Sequence, residues 1–186
     1  MQASLKLACK EWSVICRTLR EGSAILTFFK EFDESNREFL LLPSYDDQKL
    51  EALKPHVSAS WRHVLKAPLE GHNSIRDCAE VVEVFSIRSP DRLKTVQREH
   101  ALTLVELESR LRQGGEPRLI ALALRVYHLP RSFKIYDRKE YEGGERFVSL
   151  PEEVSTEGAV AAVSDEDFER RLAAVRRALR PAPATS

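Results

Sequence analysis

The chain has 186 residues, 42% of them apolar and 31% charged, a length and balance that fit one globular domain with a core of its own. Lysine plus arginine equal aspartate plus glutamate at 29 each, so no global charge draws the chain to nucleic acid or to an anionic membrane; any such contact must come from a local patch. Cys9, Cys16 and Cys78 are odd in number and form no Cys-x-x-Cys pair, which argues against a disulfide framework or a zinc site and for a reducing, cytoplasmic setting.

From Leu5 to Arg20 the apolar residues Ala8, Trp12, Ile15, Cys16 and Leu19 fall at helical spacing and stop before Gly22. Trp12, Val14 and Cys16 also alternate, so helix and hairpin arm both remain open for the second half. Ala24 to Phe29 reads as a strand, and Phe39-Leu40-Leu41-Leu42 as another that Pro43 terminates. Residues 44–54 have a helical pattern, Pro55 closes it, a short helix follows over 58–65, and Pro68, Gly71 and Asn73 mark a loop.

Ala79 to Ile87 is a Val-rich strand ending before Ser89-Pro90, and residues 95–112 form a helix with Leu104, Val105, Leu107 and Leu111 inward, ended by Gly114-Gly115. Leu119 to Leu124 is the most continuously apolar stretch, the mark of a central strand covered on both faces, and it continues to Tyr127. Phe133–Tyr136 and Phe147–Leu150 are two further strands around the Gly143-Gly144 turn. The predicted organisation is therefore a domain over residues 1–151, a connector over 152–164, an amphipathic helix over 165–180 and a disordered tail over 181–186. In that helix Phe168, Leu172, Val175 and Leu179 make an apolar stripe suited to self-association, and Arg170, Arg171, Arg176, Arg177 and Arg180 line the polar side. No run of apolar residues reaches the roughly 18 that a membrane span requires.

No phosphate-binding glycine loop, dinucleotide fingerprint or nucleophile elbow is present in the sequence. The histidines His56, His63, His72, His100 and His128 include no His-x-x-x-His pair, so neither a metal nor any other cofactor is expected. Asp91, Asp137 and Lys139 echo the carboxylates and lysine of a metal-dependent nuclease, yet Ser89-Pro90-Asp91 is equally a helix start.

The order of segments resembles an uncharacterised bacterial family of unknown function, number eighteen-oh-two. The resemblance rests on Lys10-Glu11-Trp12 leading to Leu19 and Gly22, on Phe39 to Gln48, on Glu99-His100, on Leu124 to Pro130, and on Tyr141 to Leu150; it spans residues 6 to about 152. The chain departs from the family pattern at Phe29-Lys30-Glu31-Phe32, where only the lysine of an Arg-Lys-Gly-Gly turn is kept, and at Asp47, Gly144 and Phe147, which replace a histidine, a cysteine and a tryptophan. The opening helix, glycine and strand also resemble, at the level of the fold, the small PUA and ASCH barrels that bind RNA or modified bases.

These readings combine into an α+β fold, a mostly antiparallel sheet or partly closed barrel flanked by helices. The expected function is non-catalytic binding of nucleic acid or a nucleotide-like ligand in a cleft near Lys30, Tyr45, Gln48, His100 and Arg125. There Tyr45 would stack on a base, Lys30 and Arg125 would meet phosphate, and Arg170 and Arg177 would add phosphate contacts from the last helix. The competing expectation is structural: Tyr45 and Gln48 cap a helix, and Arg125 pairs with a carboxylate. Two further classes stand beside binding, a metal-dependent nuclease and an adaptor that self-associates through the C-terminal stripe.

Overall fold

The computed structural model describes residues 1–61, 63, 72–136 and 144–179. Its strands are β1 (Ser4–Trp12), β2 (Leu26–Phe29), β3 (Glu38–Ser44), β4 (His72–Ile87), β5 (Leu119–Tyr136), β6 (Phe147–Ser155) and β7 (Val160–Ala161). The helices are α1 (Ser13–Arg20), α2 (Pro55–Trp61), α3 (Pro90–Thr95), α4 (Leu104–Arg112) and α5 (Asp165–Leu179). One sheet runs in the order β2-β5-β4-β3-β1-β6, with β7 beside β5; β1 and β3 are parallel and every other pairing is antiparallel. This is the α+β, mostly antiparallel architecture that the sequence implies.

The sheet does not close by backbone hydrogen bonds among the described residues, but its ends are joined by side chains. Glu11 at the end of β1 accepts a 2.7 Å bond from Thr27 Oγ1 on β2. Arg146, just before β6, donates to Phe28 O at 2.9 Å, pairs with Glu11 at 3.3 Å and lies 4.2 Å over the Phe29 ring. With Glu11 only 3% exposed, this latch is a buried charge with its partners supplied. Around it, Phe29 stacks on Phe147 and Phe32 lies against both. Phe29, Phe32 and Phe147 thus form one aromatic cluster.

The first segment corrects the helical reading of residues 5–20: it is a strand and then a helix. Opposite β6 the register slips between Leu5 and Leu7, where the extra residues belong to β6 (Leu5 faces Val154 and Leu7 faces Ser149); Leu5 and Ala8, three apart, are buried in the same cluster and imitate a helical stripe. α1 then starts at Ser13, where the Gln48 amide oxygen accepts from Val14 N (3.2 Å) and Ser13 Oγ (3.0 Å). It ends at Gly22, whose φ of +65° turns the chain away and whose missing Cβ leaves room for Val163.

Three other expectations change. The helix expected over 44–54 is only a 3-10 turn at Leu50–Ala52. The long helix over 95–112 is split between α3 and α4 by a 3-10 turn at Gln97–Glu99, because Ile25 N binds Glu99 O and Thr103 N binds Ala52 O, which ties the segment between them to other elements. Thr103 then caps α4 by accepting from Glu106 N, and Ser89 caps α3 by accepting from Asp91 N. The two strands expected over 119–127 and 133–136 are one long β5, carried through a wide irregularity near Pro130.

Two apolar clusters result. The larger gathers residues of α1, α4, α5 and the sheet, and Leu119 to Leu124 lie wholly within it, on both faces of β5. The smaller holds Leu5, Ala8, Leu40, Leu42, Ile75, Cys78 and Leu150. Phe39 and Leu41 point into the first and Leu40 and Leu42 into the second, which is why β3 reads as a continuous apolar run. The segment over 152–164 extends β6 to Ser155 and contributes β7. Phe168, Leu172, Val175 and Leu179 are at most 4% exposed inside the larger cluster, so the stripe suited to self-association is occupied by the chain's own core. Arg171, expected on the polar side, is buried and pairs with Glu99 at 2.6 Å while donating to Gly22 O at 2.6 Å. All three cysteines are free and buried. Among the described residues no helix is long and apolar enough to cross a membrane.

Candidate functional site

The residues expected to share a cleft are spread over the molecule. Lys30 donates to the carbonyls of Arg110 (3.1 Å), Leu111 (3.4 Å) and Arg118 (2.9 Å), so its ammonium closes the C-terminal end of α4, where carbonyls lack helical partners. Gln48 caps α1, as described. Tyr45 is half-buried beside it in sequence, and burial raises its phenol pKa. Arg125 pairs with Asp165, at the start of α5, and its guanidinium lies 4.7 Å over the Phe168 ring. Arg170 pairs with Asp167, and Arg177 is exposed. Of the three nuclease-type residues, Asp91 pairs with Lys94 at 2.8 Å, while Asp137 and Lys139 lie outside the described residues. Among the described residues no three His, Cys, Asp or Glu side chains gather as a metal would require.

His100 differs from the rest, for it lines a cavity of about 820 Å³ between the end of α1, α2 and the turn over 97–104. Thr18, Glu21, Lys54, His56, Trp61 and Arg98 contribute to the same walls. His100 is 4% exposed, packs edge-on against Phe28 with centroids 5.2 Å apart, and neither ring nitrogen makes a well-formed hydrogen bond, the approach to the Leu102 backbone falling short of one. Burial is the main reason its pKa falls to about 3; the Lys54 charge pushes the same way, and the Leu102 backbone opposes both. The ring is therefore neutral at ordinary pH, with one N–H to give and one lone pair to accept.

Lys54 is placed by its backbone, since Lys54 N bonds Ala101 O at 3.0 Å, and its ammonium reaches the carbonyls of Gln97 and His100, the latter at 2.5 Å. Desolvation brings its pKa down to about 8, against a smaller opposing effect of Glu99. It stays mostly cationic at neutral pH and loses that charge in the mildly alkaline range. Trp61, at the end of α2, carries the Arg17 guanidinium 4.9 Å over its ring, and Arg17 also pairs with Glu21 at 2.8 Å. Among the described residues the buried side-chain nitrogens and oxygens without a partner are Arg17 Nε and the two nitrogens of His100. All three belong to the cavity wall or to the residue stacked upon it.

Sequence reasoning picked His100 from its place in the Glu99-His100 pair and missed Arg17, Lys54 and Trp61. Those lie in three separate segments with no shared motif, and only the packing of α1 against α2 and the turn brings them to one cavity.

No curated protein matches the chain. Among solved structures it is similar to ASCH from Zymomonas mobilis, with a TM-score of 0.48, 9% identity, and coverage of 90% of this chain and 92% of that one. A serine-to-alanine variant of the same protein gives a TM-score of 0.49 at 9% identity, covering 93% and 98%. Nothing about this chain's chemistry follows from a likeness of that size. The family described as "Domain of unknown function (DUF1802)" matches residues 8–174, a span that reaches past the resemblance read from the sequence and takes in β7 and most of α5. With that extent covered, the chain belongs to the DUF1802 family.

Proposed function

We propose that the protein is a binding protein whose cavity takes a nucleotide-like ligand, a planar nitrogen heterocycle carrying phosphate. The observation that carries this reading is the neutral, unpartnered His100 in the cavity wall. A buried imidazole without partners costs stability, of the order of 1–3 kcal/mol for each unsatisfied group, and a polar ligand atom that reached one ring nitrogen as the wall around it shifted would repay part of that cost. Heterocyclic bases present such atoms. Trp61 offers an aromatic wall for the ring, and Lys54 with Arg98 places positive charge where phosphate would sit. The volume suits a small ligand, for which about 300–1,000 Å³ is usual.

The contribution expected from the C-terminal arginines has less support, because Arg170, Arg171 and Arg176 are engaged with Asp167, Glu99 and Glu83. The test is a titration of tryptophan fluorescence with the four ribonucleoside monophosphates, the matching nucleosides, inorganic phosphate and short RNA and DNA oligonucleotides. Quenching by one base that survives in Trp12→Phe and disappears in Trp61→Phe supports the reading. A folded protein that gives no response to any of these ligands at millimolar concentration defeats it. Preference for oligonucleotides over monophosphates would extend the ligand to a nucleic acid.

A further inference from the structure

A second constellation lies apart from the cavity, where the β4–β5 ladder is broken. Ile75 faces Phe133 and Asp77 faces His128, so residues 129–132 of β5 stand opposite Arg76 alone. Irregularities of this kind re-aim side chains out of the regular pleat. Asp77, 6% exposed, sits on this break, and its carboxylate binds His128 Nδ1 at 2.8 Å. The same carboxylate takes two bonds from Arg20 Nη1, at 2.8 and 2.9 Å, from the last residue of α1.

A carboxylate only accepts, so it fixes the tautomer with the proton on Nδ1 and leaves the lone pair on Nε2. His128 is 34% exposed, and among the described residues Nε2 has neither a partner nor a seal from solvent. Arg20 spends one nitrogen on Asp77, and its Nε and Nη2 make no bond among the described residues. A nucleophilic nitrogen oriented by a buried carboxylate, with unspent guanidinium donors on the same carboxylate, is the arrangement that phosphoryl acceptance needs.

We propose that His128 Nε2 accepts a phosphoryl group from a small donor of the phosphoramidate or acyl phosphate class. With phosphoramidate, the Nε2 lone pair forms the new N–P bond while the donor's P–N bond breaks. The bonding pair leaves with the donor nitrogen, already protonated at neutral pH, and the leaving group is ammonia. The imidazole keeps its Nδ1 proton on Asp77, whose negative charge faces the positive charge that develops on the ring. Arg20 meets the oxygens of the transferred group. This inference does not rest on the cavity or on what binds there.

The test treats the full-length protein with phosphoramidate and follows acid-labile phosphoryl incorporation at each histidine by mass spectrometry. His56 and His63, both exposed, are controls within the same chain. The expected result is phosphorylation of His128 about tenfold or more faster than either control, and a comparable slowing in Asp77→Asn, which loses the charge that faces the developing imidazolium. Because Asp77→Asn can loosen α1, Arg20→Gln is run beside it, with circular dichroism on both; it should slow incorporation while leaving the fold intact. Phosphorylation of His128 no faster than the controls, or no incorporation at any histidine, overturns the proposal, as does an unchanged rate in a folded Arg20→Gln protein.

Discussion

Replacing His100 by leucine separates the cost of the cavity from its use. In the folded protein the imidazole is held near a pKa of about 3, whereas in the unfolded chain it returns to about 6.5. As pH falls, the unfolded chain takes the proton first, so the stability tied to His100 is complete above pH 6.5 and is lost as pH drops from there toward 3. Between pH 7 and pH 5 the loss from this one group is about 2 kcal/mol, from a factor of ten in protonation for each 1.4 kcal/mol. Urea unfolding followed by circular dichroism at both pH values measures it in the wild type and in His100→Leu. All other histidines are common to both proteins, so the difference between the two pH slopes isolates His100. At pH 7 the leucine variant should be between equal to and about 1 kcal/mol more stable than the wild type, because unsatisfied nitrogens leave the core. It should also bind the ligand at least about tenfold more weakly, a stability gain bought with function. Equal pH slopes in the two proteins would refute the burial argument, whatever happens to binding.

Other expectations follow from the same structure. Ligand phosphate affinity should fall as pH rises from 7 to 9, since Lys54 loses its proton near 8; isothermal titration in matched ionic strength reads this, and a flat profile removes Lys54 from the phosphate contact. Gln48→Ala strips the start of α1 of its acceptor and should cost about 1 kcal/mol in chemical denaturation. Glu11→Ala leaves Arg146 uncompensated at the sheet latch and should cost roughly 3–5 kcal/mol, while Thr27→Val costs about 1 kcal/mol. Gly22→Ala should lower the thermal midpoint, because its Cβ would stand 2.7 Å from Val163 Cγ2 at a positive φ; an unchanged midpoint would mean that the α1–α5 connection yields easily.

Much of the fold was legible in the sequence because it is carried by local patterns. The apolar runs Phe39–Leu42 of β3 and Leu119–Leu124 of β5, the Ser89-Pro90-Asp91 start, and the stripe of α5 each depend on neighbours a few positions apart. The first segment was not legible, since its buried Leu5 and Ala8 stand at helical spacing and only pairing with distant β6, whose extra residues shift the register there, reveals a strand. The split of the 95–112 helix is equally non-local: carbonyls and amides of Ala52 and Ile25 capture the intervening backbone. For the site, polarity at strand ends was visible, but its meaning was not. Lys30, Gln48 and Arg125 are spent on helix ends, whereas the groups without partners come from α1 and the turn at 100. A sequence shows which side chains can bond, and only the packed chain shows which have already done so.

The latch between β1, β2 and Arg146 also sets an order of events during synthesis. β1 pairs with residues 147–155 on one side, and the Glu11 carboxylate that it carries into the interior waits for an arginine 135 positions later. A ribosome must release nearly the whole chain before that charge is matched, so the opening strand stays incomplete while β3 and β4 assemble. Pairings this remote in sequence are slow to form because loop closure comes before the contacts that reward it. Until they form, the free edge of β1 is the part of the nascent protein most open to pairing with another chain, and a chaperone that shields one segment of this molecule has most to gain by holding that edge.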